Sequence, residues 1–309
     1  MFSKNFLDLN NEDIVKEINV NGFFCCTEAV NSNIVEKLEE ELSGKEFGVN
    51  KNYVSPVYCN DQYFFTNAMA YSKTYFDLIT SYKLRSISRI KFKNYFRLKC
   101  QRYYETFFGH HMNWHADNVD NDGKIHNNDG LIFIIYVNDV FDGEFQLIQN
   151  TNLEKDISQR TINYTDAFVD KNYKSQIRNF KMKKGSIIIY DSWHIHRAKP
   201  ISNSKYKRKS IFFQVDANEK NAEKLLLNPQ FFNRDLENDK ELFSYLGFGA
   251  QSCFAPVPNT SIVFLPVKKN LKLINELLVA AVKKSAKNFV KKFLTYDQIS
   301  NYYNKKNKR

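Results

Sequence analysis

His115 and Asp117 stand two residues apart in Trp114-His115-Ala116-Asp117-Asn118, and His194 and His196 stand two apart in Trp193-His194-Ile195-His196-Arg197. On an extended backbone, residues i and i+2 project to the same face, so each pair can present both side chains to one interior. Two imidazoles and one carboxylate can cap one face of an octahedral Fe(II) and leave the opposite positions open to small ligands. The carboxylate and one imidazole come from the first pair, and either His194 or His196 can complete the set. A lone His-x-Asp occurs by chance in many loops, so the weight lies on the elements that surround each half.

The first half follows Tyr103-Tyr104-Glu105-Thr106-Phe107-Phe108, an apolar strand-like run closed by Gly109. The second follows Gly185-Ser186-Ile187-Ile188-Ile189-Tyr190, a glycine-led, β-branched run typical of a buried strand. Arg208 then heads a further strand, Arg208–Val215. Leu131–Val137 is a continuous apolar run of core-strand length, and Gly143–Ile148 alternates, which predicts its antiparallel neighbour. Upstream, residues 11–43 read as two helices flanking a short strand, with Ile34, Leu38 and Leu42 at helical spacing. A helix is expected around Asn67–Tyr82, and 85–110 holds alternating apolar positions (Ile87, Ile90, Phe92) before the strand that ends at Gly109.

Residues 118–129 are dense in Asn, Asp and Gly and form a turn-rich loop. Asp120-x-Asp122-Gly123 superficially matches a calcium loop but lacks the further spaced carboxylates that calcium requires. Residues 150–180 are polar without a firm period, as expected of a lid, a substrate-contacting loop or a plain solvated linker. After Asp216 the pattern turns helical over Ala217–Leu227 and Asp239–Leu246. From Leu271 to Phe293, Leu271, Ile274, Leu278, Ala281, Val282, Phe289 and Phe293 fall on one face of a long amphipathic helix, whose other face is lysine-rich.

Composition sets the outer bounds. A chain of 309 residues, 43% hydrophobic and 15% aromatic, can bury a sizeable core. Five cysteines at 25, 26, 59, 100 and 253 show no CxxC pair and argue against a disulfide framework. No apolar run is long enough for a transmembrane segment, and the N-terminus lacks a secretory pattern, so a cytoplasmic location is expected. The net charge of +11 is concentrated: residues 268–309 carry twelve Lys or Arg against Glu276 and Asp297. The remainder is close to neutral, which argues against nucleic acid as a partner for the whole surface. The basic helix itself fits either a solvated face packed on the core or contact with an anionic surface.

Over roughly residues 13–216 the chain resembles the Fe(II)- and 2-oxoglutarate-dependent dioxygenases, closest in pattern to the phytanoyl-CoA dioxygenase-like group. Trp114–Asn118 resembles the family's proximal metal motif, Gly130–Asp139 the strand after it, and Gly185–Pro200 the segment bearing the distal histidine. The resemblance favours His196 over His194 through the following Arg197-Ala198-Lys199-Pro200 and its spacing from Gly185 and Arg208. One departure falls after Phe145-Gln146-Leu147-Ile148, where a Gly-Ser-His turn is usual and this chain has Gln149-Asn150-Thr151. The implied fold is α+β: a double-stranded β-helix (jelly-roll, cupin-like) barrel with flanking helices over 1–216, and a mainly helical extension over 217–309 packed on it.

The implied cofactors are Fe(II), 2-oxoglutarate and O2. His115, Asp117 and His196 are then the metal ligands and catalytic set. Arg208 clamps the distal carboxylate of 2-oxoglutarate, with Arg197 as the alternative, and Thr106, Tyr104 and Arg102 alternate inward on the strand before the motif as contacts for the cosubstrate or the substrate. A guanidinium suits the clamp because its planar fork binds a carboxylate through two parallel hydrogen bonds. His110 and His111 stand in reserve as ligands, and His126 reads as a loop residue. The resemblance implies hydroxylation of an unactivated C–H bond in a small polar or amphiphilic molecule, with release of succinate and CO2. A macromolecular or carrier-linked substrate, and a non-catalytic binding barrel, are the alternatives.

Overall fold

Among the described residues, seven antiparallel strands form the larger sheet of this computed structural model, and a three-stranded sheet faces its inner side. The structure describes residues 1–43, 56–59, 62–65, 68–110, 112–117, 130–149, 151, 164–217, 222–223, 225–232, 238–250, 267–294 and 298. The calcium-like stretch at 120–123, His111, His126 and residues 152–163 of the polar stretch therefore lie outside the described residues. The strands are β1 (Phe23–Cys26), β2 (Pro56–Cys59), β3 (Gln62–Phe65), β4 (Arg97–Thr106), β5 (Gly130–Tyr136), β6 (Phe145–Ile148), β7 (Ile177–Phe180), β8 (Ile187–Asp191), β9 (His196–Ala198) and β10 (Arg208–Asp216). Their order is β1-β8-β5-β10-β4-β3-β2 in the large sheet and β7-β6-β9 in the small one. This is the double-stranded β-helix expected from the sequence.

The outer face of the large sheet is closed by helices. These are α1 (Lys4–Asp8), α2 (Asn11–Asn21), α3 (Ser32–Leu42), α4 (Ala68–Tyr71), α5 (Lys73–Ile79) and α6 (Tyr82–Phe92). Asn10 caps α2 by accepting from the Glu12 amide, Glu12 and Asp13 sit in its positive first turn, and Gly22 ends it in the left-handed region at φ 86°. Leu131, Phe133, Ile135, Ile187, Ile189, Ile211 and Phe213 pack outward against Ile18, Leu38, Leu84 and their neighbours. The alternate residues, Ile132, Ile134, Tyr136, Ile188 and Tyr190, point inward and meet Phe145, Leu147 and Phe180 of the small sheet. Both faces of β5 and β8 are covered, which is why these strands are continuous apolar runs rather than alternating ones.

Four sequence expectations are corrected here. The 85–92 stretch is helical, in α6: Leu84 and Ile87 are spaced by three residues on one buried face, which alternation over a short window does not distinguish from a strand. Strand β6 does not pair with β5. It lies in the opposite sheet between β7 and β9, because the turn through Asp139–Gly143 carries the chain across the barrel. Within 150–180 the chain forms α7 (Asp166–Tyr173), capped by the Thr165 hydroxyl, and then β7. The helix expected over Ala217–Leu227 is not seen at its described residues, since Glu223 instead bridges to β4 through its amide and the Lys99 carbonyl at 2.7 Å.

The first compact unit runs from Met1 to Val257 rather than ending at 216. The reason lies in α8 (Lys240–Tyr245). Arg85 of α6 is buried and pairs with Asp239 at 2.6 Å and Glu241 at 3.0 Å, while the Tyr245 hydroxyl donates to the Ile79 carbonyl at 3.0 Å. The second unit, Pro258–Arg309, contains α9 (Val267–Lys291). Its apolar residues Leu271, Ile274, Leu278, Val282 and Phe289 are exposed, and no described helix is long and apolar enough to cross a membrane.

Candidate metal and cosubstrate site

His115 and His196 face each other across a backbone bridge: the His115 amide donates to the His196 carbonyl at 3.0 Å, and the reverse bond is 2.8 Å. This pairing puts the two imidazole rings 4.4 Å apart. Asp117, two residues on, is pinned by its amide to the Ser192 carbonyl at 3.2 Å. Its carboxylate oxygens lie 3.8 Å from His115 Nε2 and 3.4 Å from His196 Nε2. The donor atoms of the three residues lie within 4.8 Å of one another.

Each imidazole has its other nitrogen against a backbone carbonyl. His115 Nδ1 is 2.8 Å from the Asn113 oxygen, and His196 Nδ1 is 2.8 Å from the His194 oxygen. A carbonyl can only accept, so both rings carry the proton on Nδ1 and turn an Nε2 lone pair toward Asp117. Burial, and then the neighbouring charge of His196, pulls the His115 imidazole below its ordinary pKa. Burial alone would push the Asp117 carboxyl up, but when the imidazoles are protonated the charge and hydrogen bond of His196 and the charge of His115 outweigh it. The carboxyl is thus held below the usual carboxylate range and is already ionised when the rings lose that proton. Neutral imidazole lone pairs beside an ionised carboxylate are the donor set that a divalent cation takes.

The set opens on a cavity of about 230 Å³ whose lining includes Tyr104, Ile134, Tyr136, Phe145, Tyr190 and Phe212. Arg208 lies in the same lining, together with Ser210. Its guanidinium is buried and donates to the Gly143 carbonyl and, at 3.3 Å, to the Thr106 hydroxyl. Among the described residues no carboxylate lies within salt-bridge distance of it. Burial lowers its pKa, and Tyr136, Tyr206 and the charge of the buried Glu144 carboxylate act the other way. A buried cation without a salt-bridged partner is costly, and an anion entering the cavity relieves that cost.

The remaining sequence candidates fall as follows. Thr106 sits opposite Arg208 in the β10–β4 register, and Tyr104 faces the cavity one step along. Arg197 points away: it pairs with Asp166, donates to Gln146 at 2.8 Å and lies over the Trp114 ring at 4.3 Å. His194 is fully buried and turns under Gly22, where a Cβ would come within 1.9 Å of its Nε2. His110 is buried outside the cluster. Lining residues that sequence reasoning did not single out, such as Tyr136, Tyr190 and Ser210, share the inward phase of their strands. That phase was readable, but which inward residues reach the metal end was not.

Residues 98–215 match the 2OG-Fe(II) oxygenase superfamily. HygX from Streptomyces hygroscopicus, solved with nickel and 2-oxoglutarate, is similar at a TM-score of 0.52 and 14% identity, over 66% of this chain and 85% of that one. The same protein with nickel, 2-oxoglutarate and hygromycin B gives 0.51 at 12% identity, over 66% and 86%. EctD from S. alaskensis with bound Fe gives 0.52 at 14%, over 66% and 75%. Comparison with curated protein sequences finds no match. At these identities the structural likeness speaks for the fold.

Proposed function

We propose that this chain is an Fe(II)- and 2-oxoglutarate-dependent oxygenase that hydroxylates an unactivated C–H bond of a small polar or amphiphilic metabolite, releasing succinate and CO2. The observation that carries the reading is Arg208, a buried guanidinium with no carboxylate partner among the described residues, opening on the same cavity as His115, Asp117 and His196. The superfamily match over 98–215 supports the chemistry. The binding of hygromycin B by HygX supports a small, polar substrate. Within the superfamily, the motifs at Trp114–Asn118 and Gly185–Pro200 favour the phytanoyl-CoA dioxygenase-like branch.

In this reading His115, Asp117 and His196 hold the iron by Nε2, a carboxylate oxygen and Nε2. The backbone carbonyls of Asn113 and His194 fix the two rings in the ligating tautomer. Arg208 receives the distal carboxylate of 2-oxoglutarate, with the Thr106 hydroxyl steadying the guanidinium and Tyr104 beside it. Iron, 2-oxoglutarate and O2 together supply the oxidising power, and the protein supplies orientation and a pocket shielded from water. The apolar rings of Phe145, Tyr190 and Phe212 provide that shielding.

The test is an anaerobic titration of the metal-free protein with Fe(II) and 2-oxoglutarate, followed by visible absorbance. A charge-transfer band should form in the wild type, persist in His194→Ala and vanish in His196→Ala. Arg208→Ala should keep iron affinity and lose at least about tenfold in 2-oxoglutarate affinity, as expected when a charge-assisted fork is removed. Absence of the band in the wild type removes the oxygenase reading and leaves a binding barrel.

For the second unit, the seven lysines of α9 against Glu276 and its exposed apolar face support contact with an anionic surface, including one that carries a lipid- or carrier-linked substrate. Salt-sensitive retention on anionic vesicles is expected, and no retention at low salt removes that reading.

A further inference from the structure

The inner face of the β10–β4 pair changes character along its length. Register places Arg208 opposite Thr106, Ser210 opposite Tyr104, and Phe212 opposite Arg102. Arg102 is thus one inward step beyond Tyr104, and its cross-strand partner Phe212 lines the cavity. One step further, the Gln214 side chain donates to Asp216 at 2.8 Å, and Lys99 pairs with the buried Asp216 at 3.2 Å. The end of the inner face away from Arg208 is therefore ionic, whereas its middle is lined by rings.

Arg102 grips a carboxylate there with its planar fork. One guanidinium nitrogen donates to Glu223 Oε2 at 2.7 Å and to the Gln101 carbonyl at 2.7 Å, and the other terminal nitrogen donates to Glu223 Oε1. The two side chains are 13% and 25% exposed, so the pair is partly open to solvent, and it lies beside the lining residues Tyr104 and Phe212 without itself lining the cavity. Glu223 comes from beyond the end of β10. Among the described residues, strand β3 pairs with β4 through Tyr103–Thr106, and the Glu223 amide takes the Lys99 carbonyl further back along β4. An arginine holding a carboxylate through two parallel hydrogen bonds is in the geometry with which it would hold a carboxylate or phosphate of a ligand. Exchanging one anion for another leaves the charge balance of this end unchanged. An uncharged apolar ligand would instead have to desolvate the pair without replacing either partner.

We propose that Arg102, next to the cavity on the same inner face, recognises the substrate: it takes an anionic group, carboxylate or phosphate, of the primary substrate, and Glu223 is the internal carboxylate that this group displaces. The inference rests on the oxygenase reading for the identity of the cavity, and its test is read out separately.

Three families of probe are titrated calorimetrically into the metal-free protein and into protein loaded anaerobically with Fe(II) and 2-oxoglutarate. The probes are short monocarboxylates, methyl phosphate and, as controls, the uncharged amides of the same monocarboxylates. Wild type, Arg102→Gln and Glu223→Gln are compared. Removing the competing carboxylate in Glu223→Gln should tighten anion binding by about tenfold, and Arg102→Gln should weaken it by at least as much. The amides should be indifferent to both changes. Preference between the carboxylate and phosphate arms identifies the anionic group.

Anion binding that is equal in wild type and Arg102→Gln overturns the proposal. So does Glu223→Gln binding no anion more tightly than wild type, a result that stands even where Arg102→Gln does not fold. The Fe(II)–2-oxoglutarate band is recorded on the same samples. A band without anion selectivity sinks the Arg102 assignment alone, whereas a missing wild-type band sinks the oxygenase reading.

Discussion

Phe212 and Phe213 are neighbours in β10 and face opposite surroundings. Phe213 is fully buried and stacks on Phe133 with ring centroids 4.4 Å apart and planes 4° from parallel, deep among the helices that cover the outer face. Phe212 is only partly buried and lines the cavity that holds the three candidate metal ligands and Arg208. The same contrast runs through β5, where Phe133 and Ile135 point outward into the core and Ile134 and Tyr136 point inward. One sheet thus has an outer face that secures the fold and an inner face that holds chemistry. Substitutions on the two faces should separate stability from function.

The largest expected effect lies on the inner face. His196→Ala or Asp117→Ala should abolish metal-dependent succinate formation, by more than about a thousandfold on the proposed mechanism. The midpoint of urea unfolding of the metal-free protein should move little, because neither side chain is part of the outer core. If the metal-free fold collapses instead, the separation of the faces is wrong. On the outer face, Phe213→Ala should cost about 3–5 kcal/mol by denaturant titration, the usual result of emptying an aromatic site in a packed core. Phe212→Ala should cost markedly less while altering ligand binding, and equal costs at the two positions would erase the distinction.

Gly22→Ala probes where the faces meet. Gly22 has φ +86°, and an added Cβ would overlap the buried His194 ring at 1.9–2.6 Å. A destabilisation of about 2 kcal/mol or more is expected from left-handed strain plus steric overlap. His194→Ala in the same background should recover part of it, whereas no recovery would place the strain elsewhere.

The smallest effect is chemical. Burial raises the Cys100 thiol to about 12, against its ordinary value near 9.0. Its reactive thiolate is then about one part in ten thousand at pH 8 and grows about tenfold per pH unit up to that pKa. Peptide mapping after iodoacetamide should find the exposed Cys25 alkylated well before Cys100, and equal rates at pH 8 would mean that the inner face admits solvent freely.

Much of the inner face was legible in the residue pattern because period-two spacing states which side chains share a face. His115 and Asp117, the inward run Tyr104–Thr106 and the leading Arg208 all follow from that rule. The N-cap of α2, the apolar runs of β5 and β8 and the amphipathic stripe of α9 are likewise local signals, set by capping chemistry and hydrophobic period. The same rule is silent on which strand lies beside which. It therefore paired β6 with β5, and it did not reveal that the turn through Asp139–Gly143 carries β6 into the opposite sheet. Over 85–92, a short apolar window fits both periods, and only packing of Leu84 and Ile87 decided for the helix.

By itself, then, the sequence determined the donor chemistry: two imidazoles, one carboxylate and one guanidinium on strands with a common inward phase. The tertiary structure decided which groups meet. His194 and His196 have the same side chain and the same phase, yet the bridge between His115 and His196 turns one toward Asp117 while the close approach of Gly22 seats the other in the core. Arg102 and Glu223 are 121 positions apart and share no local signal. They come together because the returning chain bonds its Glu223 amide to the Lys99 carbonyl of β4. Local spacing sets the direction of a side chain, but its partner is set by the distant segment that barrel closure brings alongside.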